Sequence, residues 1–202
     1  MKKIIIFLLL AITLIFVFVC SKDKPVTPPI PENPGYYYPR QKDYAWRYIQ
    51  LGRVGCDAIY DSFDLKILGT NRRHDDVGFD RFRVDINDTN FIFEKKDTLF
   101  LEKVGQSAPL LKILVGPIRA GTFWRDSHYD YLIQGFEDVT LTISGETHKR
   151  CAKIVKTKSG SSIKVYEWWV PGYGEVREIE DSLGICVRAK ELRYFSPTGV
   201  FP

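Results

Sequence analysis

The segment FIFEKKDTLFL, residues 91–101, gives the clearest indication of the secondary structure of this chain. Two short apolar runs, Phe91–Phe93 and Leu99–Leu101, lie on either side of the polar segment Glu94–Asp97. Apolar strands joined by a short polar loop are typical of a β-hairpin. We therefore predict two antiparallel strands here, connected by the four residues Glu94–Asp97.

The same alternation of apolar and polar residues continues along the chain away from this hairpin. In RFRVDIN, residues 81–87, and in SFDLKIL, residues 62–68, every second residue is apolar. A period of two residues is that of a half-buried strand, and no window has a helical stripe longer than two turns. Further strand candidates are residues 44–51, 110–115, 129–134, 139–143, 150–157, 163–170, 175–180 and 185–195.

These strands predict an all-β domain with little or no helix outside the N-terminal leader. About ten short strands separated by turns are typical of an antiparallel sheet, sandwich or barrel. The composition agrees, because the chain has 13 Phe, 11 Tyr and 4 Trp, and aromatic residues favour strands. We expect a single antiparallel, strongly curved sheet, a half-barrel or open barrel similar to that of lipoprotein carriers, with an apolar concave face.

The N-terminus has the features of a secretory leader. Lys2 and Lys3 precede an apolar run of 16 residues, Ile4–Val19, which only Thr13 interrupts. As a helix this run would be about 24 Å long, against a bilayer core of about 30 Å. A short basic segment followed by an apolar one is typical of a signal peptide, which we place at residues 1–19.

Cys20 stands at the boundary between this apolar run and a polar segment. The position resembles the lipobox of bacterial lipoproteins, in which such a cysteine is diacylated and becomes the new N-terminus. Val17 and Val19 replace the Leu and the small residue that are usual there. We predict that Cys20 is lipidated; the alternative is an uncleaved membrane anchor with Cys20 incidental. Both interpretations export the chain and tether it to a membrane.

A proline-rich tether follows, over residues 20–35. Its five prolines are Pro25, Pro28, Pro29, Pro31 and Pro34. Such a composition is typical of a semi-rigid, polyproline-like spacer. We place the β-domain at residues 36–195 and a tail at residues 196–202.

The charge balance and the motifs exclude several classes of function. The net charge of +4 becomes +2 without Lys2 and Lys3, since 27 basic and 25 acidic residues remain. A nearly neutral domain gives no electrostatic reason to bind nucleic acid. The chain has no Walker loop, nucleophile elbow, His-Glu-x-x-His or dinucleotide fingerprint. We therefore predict a non-catalytic protein without a cofactor.

The segment DSHYD, residues 126–130, is the sharpest candidate for chemistry. In a strand, Asp126, His128 and Asp130 would share one face. An imidazole with two carboxylates can bind a divalent metal, so a metal-dependent enzyme is a remote alternative. The competing and favoured interpretation is a solvated polar strand face.

Three segments resemble one protein family: YYYPRQKDYAWRYIQ at 36–50, LTISGETHKRCAKI at 141–154, and YEWWVPGYGEVREIE at 166–180. They are similar to motifs of uncharacterised exported bacterial lipoproteins, the TapB-like family, and Pro171-Gly172-Tyr173-Gly174 is the most specific part. His148 stands where that family has an aromatic residue. The resemblance implies a curved antiparallel sheet and no established catalytic residues.

The segment WVPGYGEV, residues 169–176, has a structural and a functional interpretation. Pro171 followed by Gly172 is typical of a type II turn, and Gly174 permits a bulge. The alternative is a ligand loop lined by Trp168, Trp169, Pro171, Gly172, Tyr173 and Gly174. We favour the turn, because loops of this composition usually are turns.

Three cysteines remain beside Cys20: Cys56, Cys151 and Cys186. In an exported protein this odd number allows one intramolecular disulfide and leaves one thiol. We hypothesise that any disulfide includes Cys186, and that Cys151, which matches a cysteine of the family, is buried.

These observations predict a lipid-anchored protein of the bacterial cell envelope that faces the periplasm or the exterior. Its partners would be the membrane, through the N-terminal lipid, and a lipid or an envelope protein. We expect a non-catalytic binding or envelope-interaction module. The alternative is a structural scaffold that contacts other envelope proteins without a small ligand.

Overall fold

The computed structural model describes residues 28–39, 41, 43–52, 56–72, 78–85, 88–103 and 111–201. The predicted signal peptide, Cys20 and most of the predicted tether lie outside the described residues. The chain divides into two compact units, Met1–Ile30 and Pro31–Pro202. In the part of the chain that the structure describes, no helix is long and apolar enough to cross a bilayer.

The described secondary structure consists of twelve strands and one short 3-10 helix, Pro34–Tyr37. The strands are β1 (Ala45–Gly52), β2 (Ala58–Arg72), β3 (Gly78–Asp85), β4 (Asp88–Glu94), β5 (Thr98–Lys103), β6 (Leu111–Val115), β7 (Phe123–Arg125), β8 (Asp130–Thr140), β9 (Thr147–Thr157), β10 (Ile163–Val170), β11 (Gly174–Ser182) and β12 (Ile185–Ser196). The prediction of an all-β protein with almost no helix is therefore confirmed for the described residues.

The strands pair antiparallel in the order β6-β5-β4-β3-β2-β1-β12-β11-β10-β9-β8-β7. Within the described ranges no ladder joins the end strands β6 and β7, so the sheet does not close into a barrel. Trp124 of β7 nevertheless reaches β6, where its indole Nε1 donates to the carbonyl oxygen of Lys112 at 3.1 Å. The prediction of a single sheet is imprecise, because register shifts interrupt most ladders and β7 pairs only with residues 130–132 of β8.

The predicted hairpin at residues 91–101 forms as β4 and β5. Phe93 lies opposite Phe100, and their rings stack with centroids 5.2 Å apart. The loop is one residue shorter than predicted, because Glu94 still belongs to β4. Lys96 and Asp97 turn the chain with positive φ angles of 49° and 53°.

One predicted strand is wrong. Residues 139–143 are not a separate strand, because β8 runs without a break from Asp130 to Thr140 and a turn follows. In that turn the amide of Gly145 donates to the carbonyl of Leu141 at 3.0 Å. The alternation of Leu141 and Ile143 has another cause: Leu141 is buried, and Ile143 packs against the cluster of apolar residues around Ile49.

The same cluster contains the disulfide. Cys56 and Cys186 are bonded, with Cα atoms 5.8 Å apart, beside Ile49, Leu51 and Ala189. The hypothesis of a bridge that includes Cys186 is confirmed, and Cys151 is a buried free thiol as expected. A cross-link between residues 130 positions apart stabilises the fold by about 5 kcal/mol in the chain-entropy model.

The residues on either side of the strands pack with them. The amide of Ile118 donates to the carbonyl of Glu32 at 2.7 Å, and Trp46 stacks on Tyr38 with ring centroids 5.4 Å apart. Near the C-terminus, the guanidinium of Arg47 lies 4.4 Å from the ring centroid of Phe201. The compact unit therefore begins at Pro31 and includes residues assigned from sequence to the tether and the tail.

Candidate binding site

Residues 170–173 connect β10 to β11 in a tight turn. The amide of Tyr173 donates to the carbonyl of Val170 at 3.1 Å, and Gly172 has a φ of +81°. Pro171 and Gly172 thus occupy the second and third positions of the predicted type II turn. Gly174 follows with a φ of +88°, where an added Cβ would lie 3.5 Å from the carbonyl oxygen of Tyr37. The turn is therefore held against the entry segment of the domain.

The two tryptophans before the turn point to opposite faces of β10, as successive strand residues do. The indole of Trp168 donates to the carboxylate of Glu137 at 2.7 Å, whereas that of Trp169 donates to Glu167 at 3.1 Å. Both side chains are buried. The structure consequently does not bring Trp168 and Trp169 together with Tyr173 on one binding surface.

A pocket of about 460 Å³ lies beside this turn, and we call it the Tyr173 pocket. It is formed by the β8–β9 turn, the start of β9, the β10–β11 turn and the end of β12. Its main lining residues are Glu146, His148, Tyr173, Arg193, Tyr194 and Phe195, and Leu192 and Pro197 complete it.

Aromatic rings form one wall of the Tyr173 pocket. The ring centroid of Tyr173 lies 5.5 Å from that of His148 and 5.3 Å from that of Phe195. Tyr173 keeps 39% of its surface exposed, although its neighbours in the turn contact the domain. A partly open ring supported by two others is a surface on which a planar or apolar group can stack.

His148 contributes a polar atom that has no hydrogen-bond partner. The residue is only 6% exposed, and its Nε2 forms no hydrogen bond with any residue in the described part of the chain. The nearest charged atom is Oε1 of Glu146, 3.6 Å away. Burial lowers the pKa of His148, although Glu146 opposes the shift, and the ring is therefore neutral at pH 7. Buried polar atoms in native proteins usually have a partner, so this one is open to a ligand or a water.

Arg193 contributes a cation that has no carboxylate partner among the described residues. Its guanidinium lies 5.1 Å from the ring centroid of Tyr194. Other arginines of the domain are paired: Arg47 lies 2.8 Å from Asp64, and Arg177 lies 3.2 Å from the buried carboxylate of Glu191. The Tyr173 pocket thus combines a stacking surface with an unpaired guanidinium.

A second polar feature, the charge network, lies on one face of β9–β12. It consists of Lys156, Glu167, Glu175, Glu178 and Lys190, all largely buried. Lys156 contacts Glu167 and lies 3.4 Å from Glu178. Lys190 lies 2.9 Å from Glu175 and 3.6 Å from Glu178. Every charged group of the network therefore contacts a group of opposite sign.

The pKa values of the network follow from this arrangement. Burial, with help from Glu178 and Glu167, raises the pKa of Glu175 to about 8 against the opposing effect of Lys190. Burial also acts to raise the pKa of Glu178, but Lys190 and Lys156 outweigh it and bring the value to about 2. At neutral pH Glu178 is therefore ionised between Lys156 and Lys190, while Glu175 keeps its proton.

The charge network makes the face of β9–β12 on which it lies polar. An apolar chain packed there would remove the remaining water from five polar, ionisable side chains, which is costly. The carboxylate oxygens of Glu167, Glu175 and Glu178 lie within 4.8 Å of one another, as metal ligands can. Lys156 and Lys190 already supply the positive charge at this place, so the three carboxylates form a structural network.

The metal site predicted at residues 126–130 assumed that these residues form a strand, and the structure has a turn over 126–129 instead. Residues 126–129 form the turn between β7 and β8, so the strand on which that prediction depended is absent there. Asp126 accepts hydrogen bonds from the amides of His128 and Tyr129 at 2.7 and 2.9 Å and from the hydroxyl of Tyr131 at 2.6 Å. Asp130 is paired with Arg125. Both carboxylates are thus engaged in holding the turn.

Comparison with known proteins places the fold. No protein-family model matches the sequence, and no curated protein matches it. One similar solved structure is a protein from Bacteroides fragilis described as exported, with a YmcC-like fold; the TM-score is 0.52 at 10% identity over 80% of this chain and 99% of that chain. Another is a protein from Parabacteroides distasonis described as a lipoprotein, with a TM-score of 0.53 at 12% identity over 80% of this chain and 98% of that chain. The fold of this chain is therefore similar to the YmcC-like fold.

Proposed function

We propose that this protein is a membrane-tethered, extracytoplasmic binding module whose ligand occupies the Tyr173 pocket. The observation that carries the proposal is the combination of a partly exposed aromatic wall with an unpartnered His148 Nε2 in one pocket. Polar atoms without partners, placed beside open rings, are what a binding site needs and what a purely structural contact avoids.

The extracytoplasmic location has three lines of support. A disulfide between Cys56 and Cys186 is typical of oxidising compartments. The two similar structures are of proteins described as exported and as a lipoprotein. The apolar run Ile4–Val19 followed by Cys20 has the order of a lipoprotein leader. We propose a TapB-like lipoprotein, anchored through Cys20 in the bacterial envelope and facing the periplasm or the exterior.

The module is proposed to be non-catalytic and to need no cofactor. Burial raises the pKa of Cys151 to about 11, so this thiol is not a thiolate nucleophile at neutral pH. We also propose that the sheet is strongly curved, as an open barrel. The strand order supports this, because β6 and β7 stand at its two ends and yet share the hydrogen bond of Trp124.

Native mass spectrometry of the full-length protein, released gently from its own membranes, tests the binding function. We expect a small molecule to accompany the wild-type protein and to be lost from the Tyr173→Ala variant. Tyr60→Ala is the matched control, since Tyr60 is 78% exposed and lies outside the pocket. A wild-type protein that carries no ligand after this preparation contradicts the proposal.

Metabolic labelling with palmitate tests the anchor. The wild-type protein should incorporate the label and remain with the membrane fraction, whereas Cys20→Ala should lose the label. Equal labelling of both proteins contradicts lipidation at Cys20. Membrane association of an unlabelled wild-type protein would instead support the uncleaved anchor.

A structural scaffold is the second candidate, and one observation favours it. Leu183 and Tyr60, at the ends of the β11–β12 and β1–β2 hairpins, are 85% and 78% exposed. Exposed apolar side chains at one end of a domain are typical of contact surfaces. If the scaffold is correct, Leu183→Asp will release envelope proteins that cross-link to the wild type, and Tyr173→Ala will not.

A further inference from the structure

We propose that the Tyr173 pocket binds a small aromatic carboxylate that also carries a hydrogen-bond donor, as an aromatic amino acid does. This inference rests on the proposed binding function and adds the chemistry of the ligand. Three parts of the pocket carry it: the guanidinium of Arg193, the aromatic wall, and the pair Glu146 and His148.

Arg193 selects the carboxylate. Arginines with described ion pairs are Arg47, Arg119, Arg125, Arg177 and Arg188. Arg193 has no ion pair with any residue that the structure describes, and only the ring of Tyr194 lies against it, at 5.1 Å. A guanidinium is planar and donates two parallel hydrogen bonds to a carboxylate. An unpaired guanidinium in a pocket wall is therefore a site for a planar anion.

The aromatic wall selects a ring. Tyr173 is in contact with the rings of both His148 and Phe195, so its position is supported from two sides while 39% of its surface stays open. Aromatic groups prefer offset or edge-to-face contact with such a ring, and this contact adds to the effect of the buried area. The volume of about 460 Å³ lies at the lower end of small-molecule pockets, which suits one ring and a short chain.

Glu146 and His148 select a donor on the ligand and disfavour a simple anion. The Glu146 carboxylate is about half exposed and lies 3.6 Å from Nε2 of His148, so its oxygens can accept from an ammonium or a hydroxyl. The same carboxylate repels an anion without such a donor. A saturated lipid chain would meet two charged side chains and an unpartnered imidazole nitrogen, and these would lose water without gaining hydrogen bonds.

The test uses L-phenylalanine and two probes that each lack one of its groups. 3-Phenylpropionate lacks the ammonium group, and phenethylamine lacks the carboxylate. Binding to the full-length protein is followed by ligand-observed NMR titration. We expect L-phenylalanine to bind at least about tenfold more tightly than phenethylamine, which lacks the carboxylate, since a charge-assisted hydrogen bond is worth about 1.5–3 kcal/mol. 3-Phenylpropionate, which lacks the ammonium group, should bind with intermediate affinity.

Variants with matched controls show which side chain of the pocket binds which group of the ligand. Arg193→Gln should weaken L-phenylalanine about tenfold, and Arg193→Lys, which keeps the charge without the planar fork, should weaken it less. Arg188→Gln is the control, since Arg188 lies on the same strand but is paired with Glu180 outside the pocket. Glu146→Gln should weaken the binding of L-phenylalanine and strengthen that of 3-phenylpropionate, because the variant loses the ammonium acceptor and also the repulsion of an anion. An unchanged denaturation midpoint shows that each variant is folded.

The outcomes separate this inference from the binding function. Equal affinity for L-phenylalanine and phenethylamine, or equal affinity of the wild type and Arg193→Gln, overturns the inference and leaves the pocket as a binding site. If no probe binds but the wild-type protein still carries a molecule that Tyr173→Ala loses, the inference is overturned and the binding function stands. If no probe binds and the wild-type protein carries no ligand, both are overturned.

Discussion

The charge network and the Tyr173 pocket are two polar regions of one sheet. They differ in whether their charged groups have partners of opposite sign. In the network, Lys190 lies within 3.6 Å of two carboxylates. In the pocket, the guanidinium of Arg193, three residues along the same strand, lies against the ring of Tyr194 and has no ion pair with a residue that the structure describes. Both lysines of the network have carboxylate partners on other strands. In the pocket, neither the Arg193 guanidinium nor Nε2 of His148 has a hydrogen-bonded or ion-paired partner among the residues that the structure describes, apart from Glu146 at 3.6 Å from Nε2.

This difference separates a structural role from a binding role. A buried charge that is fully paired contributes to the unique arrangement of the strands, and its removal leaves an uncompensated partner. An unpaired polar group costs stability in the free protein and gains a partner only with a ligand. Substitutions in the network should therefore change stability, and substitutions in the pocket should change binding.

Lys190→Met should have the largest effect on stability. Without Lys190, Glu175 loses its nearest cation and Glu178 loses one of its two cations, while both side chains stay largely buried. Breaking a buried ion pair by removal of one partner costs about 3–5 kcal/mol of unfolding free energy. Denaturation by guanidinium chloride measures this loss of unfolding free energy in Lys190→Met relative to the wild type.

Lys149→Met is the matched control, because Lys149 forms a solvent-exposed pair with Asp138. Its denaturation midpoint should not move, since exposed ion pairs contribute little. Equal midpoints for Lys190→Met and the wild type would mean that water reaches the network and that its charges do not depend on one another.

The sequence predicts the strands better than either polar region. The hairpin at residues 91–101 is local, so the alternation of its apolar residues and its polar loop are enough to predict it. The missed strand β7 has only three residues, Phe123–Arg125, and is too short to show a period. Residues 139–143 have the alternation of a strand, but Leu141 is buried and Ile143 partly buried by the packing of a turn.

The pocket could not be predicted from the same patterns, because it is assembled from distant segments. The sequence points to Tyr173 as part of the turn WVPGYGEV. The other lining residues come from elsewhere: Arg193 and Phe195 lie in β12, and Glu146 lies in the β8–β9 turn. No local signal distinguishes Arg193 from Arg188, because both are arginines of one strand that also contains Lys190 and Glu191. The distinction is the absence of a partner, which depends on what lies across from each side chain in the folded sheet.

Glu175→Gln should remove a pH dependence that the network gives the wild-type protein. The pKa of Glu175 is about 8 in the folded protein and about 4.3 in an unfolded chain. A group whose folded pKa is raised contributes stability below its unfolded pKa and loses that contribution as the pH rises to the folded pKa. The wild type should therefore lose stability relative to Glu175→Gln between about pH 4.5 and pH 8, with no further change above pH 9.

Glu178→Gln provides the control with the opposite sign. The pKa of Glu178 is lowered to about 2 in the folded protein, so its contribution appears as the pH rises from about 2 to 4.5 and then stays constant. Denaturation of the three proteins in buffers from pH 3 to pH 9 gives both curves. A constant difference between the wild type and Glu175→Gln from pH 5 to pH 9 would show that Glu175 is ionised throughout this range.

His148→Phe should have the smallest effect on the free energy of unfolding. The sign of this change distinguishes the pocket from the charge network, where a substitution should destabilise the protein. The Nε2 atom of His148 is buried without a partner, so a phenyl ring in its place removes a desolvated polar atom and keeps the contact with Tyr173. We expect unchanged stability or a gain of up to about 1 kcal/mol, since loss of an unsatisfied buried group is neutral or favourable. Urea denaturation measures the change, with the exposed His128→Phe as control. A clear loss of stability in His148→Phe would mean that Nε2 has a hydrogen-bond partner in the free protein. The polar groups of the pocket would then have partners, as those of the charge network do.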